Sequence, residues 1–198
     1  MNNNPLKALL SFGNKKLPKS TAIYNMGSAH DCSSEKLGLC QVADICYAKK
    51  AERIYKQVLP YRNRQTAFWR NTNANEFTNL FLESVKLKKD KITMLRVSES
   101  GDFDTQKDID TWEQIATNLK AKNVVTYVYT ARKDLDYSKC FNLVVNGSDF
   151  QTEGVKHSFT AVKQFSPKSE RSARCLGDCT ICHLCATQTN LKIEVLMH

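Results

Sequence analysis

Two runs, Lys91-Ile-Thr-Met-Leu-Arg-Val97 and Asn123-Val-Val-Thr-Tyr-Val-Tyr-Thr130, are rich in β-branched and aromatic residues and read as strands. Between them Ile109, Trp112, Ile115, Ala116 and Leu119 recur at helical spacing, and Thr105 and Asp108 have the spacing of a capping box, with Asp in place of Glu. Strand, helix of ten or more residues, strand is the signature of a β-α-β unit. That unit forces a parallel pair, because a crossover of this length does not fit a hairpin.

Working outward, Thr21-Ala-Ile-Tyr-Asn-Met-Gly27 reads as an earlier strand closed by the turn Gly27-Ser28. A helix is expected to open at Cys46-Tyr-Ala48 and run until Pro60 interrupts it. A second follows over Tyr61–Arg70, basic and aromatic, where a solvated basic face with Phe68 and Trp69 in the core is favoured over base stacking with phosphate contact. A third, from Glu76 to Lys88, carries Phe77, Leu80, Phe81 and Val85 on one face. Further strands are expected at Phe141–Val145 and His157–Val162. These five or six strands predict an α/β fold with mostly parallel strands, and a partial β/α barrel fits them better than a closed eight-stranded one. The chain of 198 residues reads as a single domain over 1–198, with an irregular arm up to Ser20.

In α/β folds ligands are handled at the carboxyl ends of the parallel strands. Polar groups gather there in this sequence: Asn25 and His30, Glu99 and Asp102, Thr130 and Arg132, Asn146 and Ser148. Glu99 or Asp102 could receive an amine or ribose and Arg132 a carboxylate or phosphate, with Thr130 beside them. Equally, Arg96, Glu99 and Asp102 could form an ion-pair network that only shapes a loop.

Seven of the eight cysteines fall in two groups. The first, Cys32, Cys40 and Cys46, follows the first strand. The second is Cys175-Leu-Gly-Asp-Cys179-Thr-Ile-Cys182-His-Leu-Cys185, a loop over 175–185 whose spacing lets one segment wrap a compact inorganic core. An iron–sulfur cluster is the reading favoured here, with a four-thiolate zinc as the alternative. Disulfides would need an oxidising compartment, and the apolar run in Met1–Leu10 is too short for a secretory signal. Cys179-Thr-Ile-Cys182-His183 also matches the short pattern for covalent haem attachment, but flanking Cys175 and Cys185 favour a cluster. The two groups could hold a cluster and a second metal, zinc with His30 as its fourth ligand, or two clusters, or one cluster drawing on both ends of the chain. Cys140, alone at a strand edge, reads as a buried small hydrophobe.

The net charge of +9 points to an anionic partner, either nucleic acid or a phosphorylated or otherwise anionic small molecule. No apolar run is long enough to span a membrane, and a cytoplasmic protein is expected. Oligomeric state has no signal in the sequence.

Cys40-x5-Cys46-Tyr-Ala, Arg96-Val-Ser-Glu-Ser-Gly-Asp-Phe103, Tyr129-Thr-Ala-Arg132 and the terminal cysteine run together resemble the phage gene product 88 family over most of the chain. That family in turn resembles radical S-adenosylmethionine (radical SAM) proteins. The resemblance implies a phage-encoded protein with a TIM-barrel-related partial barrel, a [4Fe-4S] cluster in the loop after the first strand, and S-adenosylmethionine as cofactor. The sequence departs from that pattern. The Cys-x3-Cys-x2-Cys spacing lies at Cys175, Cys179 and Cys182, with Cys185 as a fourth thiol, and a cluster with four thiolates has no open iron. This favours a structural or electron-transfer role over cofactor cleavage.

Overall fold

The computed structural model describes residues 4–197. One sheet of eight strands runs through it: β1 (Ser11–Phe12), β2 (Thr21–Tyr24), β3 (Met94–Val97), β4 (Val125–Thr130), β5 (Val144–Ser148), β6 (Val155–Val162), β7 (Ser172–Arg174) and β8 (Leu191–Leu196). Their order across the sheet is β1-β2-β3-β4-β5-β6-β8-β7. Only the β1–β2 pair is antiparallel. The helices are α1 (Ser33–Lys36), α2 (Tyr47–Ile54), α3 (Val58–Arg70), α4 (Ala74–Val85) and α5 (Gln106–Lys120).

Alternation along the strands sorts the side chains into two unlike faces. Tyr24, Leu95, Val97, Val128 and Val145 point into a core with Trp69, Phe77, Phe81, Trp112, Ile115 and Leu119 from α3, α4 and α5. Trp69 and Trp112 stack at 4.7 Å between ring centroids, with Phe77 edge-on to Trp112 at 5.1 Å. The Asp108 carboxylate that caps α5 through the backbone N–H of Asp104 and Thr105 also accepts the Trp69 indole N–H at 2.8 Å, which ties α3 to α5. The expected capping box is therefore present and does a second task.

Several boundaries differ from expectation. The helix opening at Tyr47 stops at Ile54, and Pro60 lies in the first turn of α3, where its missing N–H has no intrahelical partner to lose. The stretch up to Ser20 is not irregular throughout: Pro5–Leu9 form a 3-10 helix, β1 extends the sheet, and Leu6, Leu9, Leu10 and Leu17 are buried. The sheet has more strands than the five or six expected. β1 and β7 are short edge pieces with no hydrophobic alternation to reveal them, and β8 lies beyond the cysteine run.

Helices bridge β2 to β3 and β3 to β4 only; residues 131–143 and 149–154 make the next two parallel connections without a helix. The helices consequently cover one face. The sheet is open, since no pairing joins β1 to β7 among the described residues. What stands is a mostly parallel open sheet. The segment between β7 and β8 turns back over its uncovered face, where Leu184–Ala186 pack on β4 and β5. It also reaches the opposite edge, the Cys179 N–H donating to the Lys16 carbonyl at 2.8 Å in the loop between β1 and β2.

Candidate metal centre and adjoining cavity

The segment carrying Cys32, Cys40 and Cys46 leaves β2 and returns to α2, and both its ends are held by a buried ion pair. Glu52 of α2 accepts the Ala29 N–H at 2.8 Å and pairs with Arg62 of α3 at 2.6 Å, and Arg62 donates to the Ala48 carbonyl at 3.0 Å. Inside this clasp Ser34 fixes the chain, its carbonyl accepting the Leu39 and Cys40 N–H groups. The turn after β2 and the loop after β3 meet backbone to backbone. Gly101 has φ +75°, and a Cβ there would lie 2.7 Å from the Gly27 nitrogen, so glycine is required on both counts.

Burial raises the titration of the Cys32 and Cys40 thiols, and the carboxyl of Asp102 raises both further. His30 stands 3.6 Å from Glu52, half-turned to solvent, and is placed as a partner of that carboxylate.

The terminal cysteines sit on the other side. Cys175, Cys179, Cys182 and Cys185 all line one small hollow of about 40 Å³, floored by Met94, Tyr127 and Tyr129 from β3 and β4. Cys185 sits where its loop packs on β4 and β5. Burial pushes its thiol up to about 11, and the neighbouring Cys175, Cys179 and Cys182 raise it further. Asn146 of β5 donates to the Cys185 carbonyl at 3.0 Å and to the Val128 carbonyl at 2.9 Å, seating the loop on the sheet. All eight cysteines are free thiols.

Between the two groups lies a cavity of about 560 Å³ at the carboxyl ends of the strands. Cys32, Cys40 and Cys46 form part of one wall and Cys175 and Cys179 part of another, with Phe159 and Ala161 of β6 below. Its volume is within the range of small-molecule sites.

Glu99, Asp102 and Thr130 border this cavity; Arg132 does not. Arg132 makes a two-pronged pair with Asp134, 2.8 Å at each nitrogen, and donates to the carbonyls of Phe103 and Asp104. Four of its five N–H donors hold these loops, and in this structure they meet Asp134 and the two carbonyls. Asp102 is likewise structural in part: its oxygens accept the Phe103 N–H at 2.8 Å and the Ala131 N–H at 2.9 Å, and burial holds its carboxyl above the usual range. Glu99 pairs with Arg96 at 3.2 Å. Thr130 accepts the Arg132 N–H at 3.1 Å.

A family model described as Gene product 88 matches residues 2–151. The chain belongs to the Gene product 88 family, a phage gene-product family. The Gene product 88 match takes in Cys32, Cys40, Cys46 and the strand ends through Ser148, and it stops short of the Cys175–Cys185 run. No curated protein and no solved structure matches the chain.

The sequence reading missed the Glu52–Arg62 clasp, for which nothing local gives a signal. It also missed the floor of tyrosines, although the alternation Thr126-Tyr127-Val128-Tyr129 places both rings on one face. Arg96 stands over the Tyr129 ring at 5.2 Å on that face. Among the described residues, no three His, Cys, Asp or Glu side chains are grouped as a site for a single metal ion.

Proposed function

We propose that this protein binds an iron–sulfur cluster through Cys175, Cys179, Cys182 and Cys185. The observation that carries the reading is that all four thiols, none in a disulfide, border one hollow backed by aromatic and aliphatic side chains. Four soft thiolates select zinc or an iron–sulfur core. The continuous Cys-x3-Cys-x2-Cys-x2-Cys run favours the iron–sulfur core, since zinc sites are usually built from two separated Cys-x2-4-Cys knuckles. When bound, such a cluster takes up and releases one electron. The chain's own residues supply the setting: Tyr129 lines the hollow, Asn146 fixes the Cys185 backbone, and Lys16 anchors Cys179.

The cavity beside this site is the place for a small molecule, and S-adenosylmethionine is the first to test there, on the radical SAM resemblance. Cys32, Cys40 and Cys46 on its far wall are the ligands for a second metal, if metal analysis returns more than one site per chain. The deciding experiment is anaerobic purification followed by iron, sulfide and zinc quantification on one sample, with an electron paramagnetic resonance spectrum after reduction. About four irons and four sulfides per chain are expected for one cubane cluster. Zinc without sulfide would overturn the reading and make a zinc-stabilised nucleic-acid-binding module the working hypothesis.

A further inference from the structure

One wall of the cavity at the strand ends is unlike the rest. Arg96, Ser98 and Ser100, alternate positions along the end of β3 and the loop after it, all border that cavity. Each holds a buried polar atom with no hydrogen-bond partner: the Arg96 Nε and the two serine hydroxyls. Ser98 is 7% exposed and Ser100 3%. Among the described residues, no other side chain bordering this cavity carries such an atom. Buried polar groups are ordinarily satisfied, so their concentration on one wall marks a place where an occupant supplies the acceptors.

The wall is fixed from behind. Ser98 has φ +58°, a left-handed conformation that is costly for serine, and its N–H is tied to the Tyr24 carbonyl at 2.9 Å. The Arg96 guanidinium lies over the Tyr129 ring, and among the described residues its carboxylate contact is Nη1 to Glu99 at 3.2 Å. Glu99 is itself shared with the Asn14 side-chain amide at 3.2 Å, and one such contact leaves most of the guanidinium donors for a ligand. The arginines buried elsewhere are engaged, Arg62 by Glu52 and Arg132 by Asp134. Nearby carboxylates do not cancel the donors of this wall. Lys49 engages Glu35, and Asp102 accepts two backbone N–H groups while burial favours its neutral form. Asp149 borders the cavity at the end of β5, two strands away from β3.

Toward β6 and β8 the lining turns apolar and aromatic, with Phe159, Ala161, Phe165 and Val195. Donors at one end and flat apolar surface at the other suit a molecule that carries an oxyanion on a planar body. Three donor groups match the three terminal oxygens of a phosphate ester better than the two of a carboxylate. We propose that this cavity binds a free nucleoside monophosphate, with its phosphate against Arg96, Ser98 and Ser100 and its base toward Phe159 and Phe165. The inference rests on the cavity being a small-molecule site, and not on a metal at either cysteine group.

The test is isothermal titration calorimetry on the full chain with adenosine, guanosine, cytidine and uridine 5′-monophosphate, each compared with its nucleoside. Inorganic phosphate and S-adenosylmethionine are titrated separately. At least one nucleotide is expected to bind roughly tenfold or more tighter than its nucleoside and than phosphate alone. Ser100→Ala removes a hydroxyl that has no partner within the protein, so the Tm should hold while nucleotide affinity falls roughly fivefold and nucleoside affinity does not change. Arg96→Lys keeps a cation beside Glu99 but loses the planar fork, and should weaken the nucleotide roughly tenfold. Nucleotide affinity unchanged in both variants, or equal for nucleotide and nucleoside, would overturn the proposal. Binding of S-adenosylmethionine with no nucleotide bound would sink it too, but leave the cavity as a small-molecule site. If none of these compounds binds, both readings fall.

Discussion

Removing the Glu52 carboxylate should loosen the three-cysteine segment and destabilise the whole protein. In Glu52→Ala the Arg62 guanidinium, with only 8% of its side chain exposed, keeps one carbonyl partner and loses its counter-ion at 2.6 Å, while the Ala29 N–H loses its acceptor. Breaking a buried pair by removing one partner costs about 3–5 kcal/mol, most of it from the charge left behind. We therefore expect about 4 kcal/mol, a large part of the roughly 5–15 kcal/mol that holds a typical domain together. The origin of the loss predicts a rescue. Glu52→Gln with Arg62→Met leaves an acceptor for the Ala29 N–H and no buried charge, and should fall within about 1 kcal/mol of wild type. Urea unfolding followed by tryptophan fluorescence reads this, because Trp69 and Trp112 stack in the core. The reduced protein is used with chelator present, so that metal linkage does not enter. With an m-value of about 2 kcal/mol per molar urea, the Glu52→Ala midpoint should drop by roughly 2 M. A loss below about 1 kcal/mol, or a double variant as unstable as the single one, would refute the clasp.

His157 is fully buried, one ring nitrogen meeting Thr189 at 3.0 Å, and burial depresses its titration to about 4. The unfolded chain takes up the proton near 6.5, so stability from this group is present above that pH and drains away as pH falls toward 4, by at most on the order of 3 kcal/mol; His157→Gln should flatten that part of the stability profile. Gly154, at φ +80°, would place a Cβ 1.6 Å from the Tyr137 carbonyl oxygen, so Gly154→Ala should prevent the β5–β6 connection from closing, read as a loss of several kcal/mol or of soluble protein. Cys185→Ser should abolish cluster loading, and unchanged iron in that variant would remove the terminal run from the site.

The β-α-β order, the helix faces of α4 and α5 and the capping of α5 by Asp108 were legible because each is a local effect: side-chain periodicity and a three-residue capping spacing are properties of consecutive residues. The thiol spacing of Cys175–Cys185 and the gathering of polar groups after strands were legible for the same reason. Partners distant in the chain were not. That Arg132 meets Asp134 and the carbonyls of Phe103 and Asp104 was not legible, because Phe103 and Asp104 lie far from it in the chain. Glu52 and Arg62 gave no sign of pairing, because their meeting depends on how α2 packs against α3. The sequence by itself determined which faces are apolar and which loops carry thiols. Only the tertiary structure decided that the last loop folds back across the uncovered face of the sheet, bringing Cys175 and Cys179 to the cavity lined by Cys32, Cys40 and Cys46. A parallel sheet with helices on one side only must bury its other side, and the segment between β7 and β8 packs on it.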